Sequence, residues 1–272
     1  MGVRVISRQV RRIGFLLVVI LLSFLSPARI MAQDSTGHVR STPQFMPRYD
    51  FGLSITHVVS PDPRFSWDGV IDADFDVIDY TKGRTSLLAQ YDVVMGNQLR
   101  PFDPNQGDYT FEITSSLRIH KTEVAGLFHH LSRHLSDRPN AESVAYNAMG
   151  VRLLHNFALS RMTVNVREDF AGVIRRNFLD YAWTNDLDIS TRRPISKSIQ
   201  LFSTADIATS GIVHSVAERP DQKGLRFENG VHLKGENGSI ELFAGWEKRV
   251  DAYPLDRMPQ RWVLAGFRIQ SR

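Results

Sequence analysis

Phe111-Glu112-Ile113-Thr114-Ser115-Ser116-Leu117-Arg118-Ile119 alternates apolar and polar side chains with a period of two. Successive side chains of a strand leave on opposite faces. Phe111, Ile113, Leu117 and Ile119 therefore share one face, and Glu112, Thr114, Ser116 and Arg118 the other. The pattern recurs along the chain. Ile71, Ala73, Phe75 and Val77 alternate with Asp72, Asp74 and Asp76. Leu225, Phe227, Val231 and Leu233 alternate with Arg226, Glu228, His232 and Lys234. Ile240, Leu242, Ala244 and Trp246 alternate with Glu241, Gly245 and Glu247, and Val263, Ala265, Phe267 and Ile269 continue the theme. Such alternation marks strands.

Twelve segments carry it, starting near residues 48, 66, 85, 109, 122, 143, 160, 180, 197, 224, 239 and 261. Ala141 to Phe157 also has a weak helical period, but Gly150, Val144 and Val151 disfavour a helix. It is read as a strand. The segments are long enough for the roughly 9–11 residues that cross an outer membrane at a tilt. Short connections, around Thr81-Lys82-Gly83, His120-Lys121-Thr122, His155-Asn156-Phe157, Pro194-Ile195-Ser196 and Glu236-Asn237-Gly238, alternate with longer ones. The longer ones span Pro101 to Asp108, Ser136 to Glu142, Gly172 to Asp180, Gly211 to Lys223 and Asp251 to Gln260. Only the connection from Ser60 to Arg64 breaks the rule.

An apolar face opposite one full of Asp, Glu, Arg and Lys inverts the chemistry of a soluble barrel. A bilayer permits this, because lipid replaces the core and a closed sheet pairs every backbone group. Tyr80, Tyr109, Tyr181, Trp183 and Trp262 fall near strand ends, where amphipathic rings favour the interface. The fold expected is all-β: an antiparallel transmembrane β-barrel of about 12 strands over 47–272. A soluble exported binding barrel is the competing reading.

The 272 residues open on a basic stretch with Arg4, Arg8, Arg11 and Arg12, then an apolar run from Ile13 to Leu25. That run is too short for a spanning helix at about 20 residues and suits a signal peptide. Residues 1–32 are read as a cleaved signal, with Gln33 as the mature start, and 33–46 as a flexible leader. Absence of Cys excludes lipoprotein processing, disulfides and thiolate metal sites. Five of the 33 basic residues lie in 1–32 without an acid, leaving 28 basic against 29 acidic. Such a chain has no footprint for nucleic acid. The expected partners are outer-membrane lipids and the outer-membrane assembly machinery. The expected location is the outer membrane of a Gram-negative-type bacterium.

Nucleotide-binding loops, H-E-x-x-H and G-x-S-x-G are absent. Asp72, Asp74 and Asp76 have the spacing of a calcium loop without its Gly and distal Glu, and read as lumen acids paired with Arg118, Arg152 or Arg167. Charges of both signs in the lumen imply a narrow or occluded interior. Histidine is densest in Phe128-His129-His130-Leu131-Ser132-Arg133-His134. His130, Ser132 and His134 share one strand face, and a Ser beside a His can form a nucleophile–base pair once a third group orients the imidazole. Asn147 on the next strand offers that group. His130 and His134 lie about 13 Å apart along a strand, too far to share a metal.

His130-x-Ser132 with Asn147 resembles outer-membrane phospholipase A. That resemblance implies an acyl-ester hydrolase with Ser132 as nucleophile, His130 as base, Asn147 as orienter, and calcium as cofactor. His130-Leu131-Ser132-Arg133-His134-Leu135-Ser136-Asp137 also resembles an uncharacterised outer-membrane family with the motif H-x-S-S-H-L-G-D. Arg133 and Ser136 stand where that family has Ser and Gly. The phospholipase's Gln and the Asn-Gly after its serine have no counterpart here. Simple alternation, with Ala125, Leu127, Leu131 and Leu135 as the apolar face, places His130 and Ser132 toward the lumen and Asn147 toward lipid. The expected role is thus structural or small-solute. The alternatives are a lipid acyl hydrolase and the soluble binding barrel.

Overall fold

The computed structural model describes residues 42–135 and 143–271. Residues 1–32, read as a signal, lie outside them. The elements are β1 (Gln44–Val59), β2 (Trp67–Asp79), β3 (Arg84–Gly96), β4 (Asp103–Ile119), β5 (Thr122–Leu135), β6 (Ser143–Leu159), β7 (Met162–Asn177), β8 (Tyr181–Pro194), β9 (Ile199–Ile212), β10 (Gln222–Lys223), β11 (Leu225–Lys234), β12 (Gly238–Arg249) and β13 (Gln260–Ser271). β10 is a two-residue ladder on β9 that leads into β11. The other twelve form the wall. Each pairs antiparallel with its chain neighbours, and β13 pairs with β1 to close the ring. β1 starts at Gln44, within the stretch read as leader.

The outward face is apolar: Phe51, Ile71, Phe111, Met149, Leu242 and Val263 are exposed large hydrophobics. The inward face carries the charges. Arg152 bridges Glu112 and Asp169 at 2.6 and 2.7 Å. Arg268 bridges Glu228 and Glu241 at 3.1 and 2.7 Å. This inversion is the opposite of a soluble barrel. Of the three alternating aspartates of β2, Asp74 and Asp76 are held by Arg48 at 2.8 and 2.9 Å, and Asp76 also by Arg84 at 3.1 Å. The expected partners are engaged elsewhere: Arg118 with Asp79, Arg152 as above, and Arg167 beside Asp169 and Asp188. Tyr181 and Trp262, read as interface rings, face inward. Trp262 donates to Glu247 at 3.2 Å and Tyr181 to Asp251 at 2.5 Å.

Three connections differ from expectation. β6 runs past His155-Asn156-Phe157, with His155 opposite Val166, and turns at Ser160-Arg161. β7 continues through Arg175, Arg176 and Asn177, leaving only 178–180 before β8. β4 begins at Asp103, so 97–102 is the loop. In each case polar strand residues look like a loop, although the ladder satisfies their backbone.

At the mouth, the β12–β13 connection reaches the far wall. Arg133 on β5 stands opposite β12 in the ring, and donates to the Asp251 carbonyl at 2.8 Å. Arg219 binds the Asp251 carboxylate at 2.7 and 2.9 Å and that of Asp180 at 2.6 and 2.8 Å. Arg257 adds a bond to Asp180 at 2.9 Å. Burial pushes the Asp180 carboxyl up, but Arg219 and Arg257 outweigh it and hold it below its usual 3.8.

A carboxyl depressed on folding stabilises above its unfolded pKa and loses that stabilisation as pH falls through its folded pKa. The urea midpoint should therefore fall below about pH 4, with a shallower acid limb in Asp180→Asn. An unchanged limb would separate the Asp180 cluster from stability. The turns give a second test. His120 and Ser160 open two-residue turns with φ of 58° and 56°, where glycine is favoured. Ser160→Gly should add about 1 kcal/mol of stability by relieving the left-handed conformation. A loss in urea unfolding would contradict that turn geometry.

Candidate functional site

The β4–β5 hairpin decides which residues meet lipid. Its turn is His120-Lys121, and Ile119 pairs with Thr122. Continuing outward, Glu112 pairs with His129, Phe111 with His130 and Tyr109 with Ser132. Glu112 is buried inside the barrel, whereas Phe111 and Tyr109 are exposed on its outer face. His130, Ser132 and His134 therefore face lipid. This corrects the lumen-facing expectation, and β5 reaches it without a bulge at His129-His130.

The apolar residues of β5 are the inward ones. Ala125, Leu127 and Leu135 are buried, and Leu131 packs against the cluster formed by Tyr146, Ala148, Ala171, Tyr181 and Ile212. That inner cluster, rather than lipid, accounts for the apolar alternation of β5. Asn147 is paired with His130 in the β5–β6 ladder and shares its outward face with Met149, Val151 and Leu153, all exposed. All three sequence-predicted site residues thus lie on one side of the wall, near its loop end.

His130 Nδ1 lies 2.6 Å from Asn147 Oδ1. An amide oxygen only accepts, so Nδ1 is the donor and Nε2 keeps its lone pair. That is the tautomer required of a base acting through Nε2. Ser132 Oγ lies 2.9 Å from His134 Nε2. The serine hence sits between two imidazoles, two residues before and after it, and its hydroxyl is engaged by the second. His134 also packs edge-on against Tyr109, with centroids 5.6 Å apart, and Tyr109 packs on Tyr91 at 4.7 Å.

Two features lie outside the expected triad. The Ser132–His134 bond was legible, since both residues share parity. Arg175 was not. A bulge opposite Asn147 and Ala148 brings Arg175 into register with Asn147, and it is exposed. Bulges leave little trace in alternation.

Calcium takes six to eight oxygen ligands, commonly carboxylates. The acids beside the site, Asp108 and Glu112, point inward and are occupied by Arg133 at 3.0 Å and by Arg152 and His129 at 2.6 and 2.9 Å. Among the described residues no group of three His, Cys, Asp or Glu could hold a metal. The described residues around Ser132 do not fit a calcium cage.

No protein-family model matches the chain, and no curated protein matches it. Solved structures do. Outer membrane phospholipase A from Escherichia coli is similar with a TM-score of 0.50 and 9% identity, over 82% of this chain and 92% of that one. Omp33 of Acinetobacter baumannii is similar with a TM-score of 0.41 and 8% identity, over 84% and 98%. OmpT of Vibrio cholerae gives 0.44 and 9%, over 89% and 99%. The chain has the fold of an outer-membrane β-barrel.

Cysteine-free background makes the facing testable. A nitroxide on Ser132→Cys should collide with oxygen in the bilayer rather than with a water-soluble nickel chelate. A nitroxide on Leu131→Cys should lack that lipid exposure. A lipid-exposed 131 beside a shielded 132 would reverse the parity of β5.

Proposed function

We propose that this protein is a membrane-embedded lipid acyl hydrolase of a Gram-negative-type outer membrane. The supporting observation is the His130–Asn147 hydrogen bond on the lipid-facing wall, with Ser132 two residues along the same face. A nucleophile there meets acyl esters where lipids present them, without extracting a chain into a pocket. The resemblance to the phospholipase motif gains weight from this placement. Outer-membrane lipids are then substrate as well as solvent, and assembly machinery would insert the barrel.

In the proposed reaction Ser132 Oγ attacks the ester carbonyl carbon and His130 Nε2 accepts its proton. The carbon–oxygen bond to the alcohol breaks, and the alcohol leaves with that proton. Water then attacks the acyl-serine by the same route, releasing the fatty acid and restoring Ser132. Asn147 keeps the ring aimed and Nδ1 protonated. Arg175, one strand further, supplies a cation for a lipid phosphate.

The test is fatty-acid release from phospholipid and lipopolysaccharide by detergent-refolded protein. Ser132→Ala should abolish release. His130→Ala should lower it by about 10²–10⁴, and Asn147→Ala by about 100-fold through a loosened ring. No release from a barrel of verified heat-modifiable mobility would reject the reading.

A further inference from the structure

We infer that the 250–259 connection is a latched roof whose release opens the lumen to small hydrated cations.

Asp251 and Ala252 are 2% and 0% exposed, deep burial for loop residues. Asp251 joins three separate parts of the barrel. Its carbonyl takes Arg133 of β5, and its carboxylate takes Tyr181 of β8 and Arg219 of the β9–β10 connection. The far end of the loop is tied to the first connection. Arg64 binds Asp256 at 2.6 Å and lies over the Tyr253 ring at 4.5 Å. A segment fixed at both ends to opposite walls spans the opening.

Arg133 connects this roof to the space below it, because it also lines a cavity of about 370 Å³ inside the barrel. A second cavity, of about 250 Å³, lies beyond, and Arg226 lines both. The upper cavity selects charge. Its arginines are already engaged: Arg133 by Asp108, Arg226 by Glu228 and Glu247, Arg249 by Asp68 and Glu247. Asp92 is bonded to the Gln90 amide at 3.0 Å and, among the described residues, forms no arginine bridge. An acid with only an amide partner favours cations over anions.

The experiment records planar-bilayer currents from full-length refolded protein in a potassium chloride gradient. The parent should be silent or nearly so. Asp251→Ala should raise open probability at least tenfold, with a reversal potential displaced toward that of potassium. Ser54→Cys, on the upper-cavity wall, should then let a cationic thiol reagent block the current. Should Asp251→Ala not fold, Arg64→Ala frees the other end of the loop and should open the same pathway. Equal currents in parent and variant, a silent folded variant, or anion preference would each overturn the inference.

Discussion

The ladder between β1 and β13, from Gly52–Gln270 to Val59–Val263, removes the last two free edges of the sheet. Inside a bilayer this closure is obligatory, because hydrocarbon offers no partner for an unpaired N–H or C=O. It also fixes parity. Once the ring is closed, each residue is committed to lipid or lumen, and a one-residue slip would turn a whole strand inside out. The position of Ser132 relative to lipid therefore follows from register rather than from the composition of β5.

Closure also determines how charge is held. The inward carboxylates Glu228 and Glu241 are among the most buried of the described residues, at 1% exposed. Arg268 forks between them, Arg192 and Arg226 close the other sides, and His232 adds a bond to Glu241 at 3.0 Å. Arginine suits this work because its planar fork serves two carboxylates at once. Removing one member of such a pair costs about 3–5 kcal/mol through the charge left behind. The lumen thus behaves as a polar core, reinforced by the cluster around Tyr146 and Tyr181 and by a second around Val58, Phe202, Phe243 and Leu264, and roofed by a loop.

Most of the fold was legible because period two survives wherever one face meets lipid. Phe111 to Ile119 and Ile71 to Asp76 have the strands and faces their alternation implied, up to a bulge at Val77. Legibility failed where the inner wall is itself apolar. On β5, Leu127, Leu131 and Leu135 outweigh Glu123, His129 and Arg133, although all six share the inward parity. The turn held the missing information: counting outward from His120-Lys121 sets His130 opposite Phe111. Turns were misplaced where strands carry polar residues up to the rim, as at Arg175-Arg176-Asn177. The mouth latch was not legible, because Arg133 and Asp251 are 118 residues apart and meet only across the closed ring.

A Ser132 nucleophile presented to lipid should be open to covalent capture. The protein in lipid bilayers is treated with a long-chain alkyl fluorophosphonate and the adduct is mapped by mass spectrometry. A phosphonyl group is expected on Ser132, formed much more slowly in Asn147→Ala and absent from the urea-unfolded chain. A folded barrel left unmodified at Ser132, or modified equally fast without Asn147, would contradict a nucleophilic Ser132.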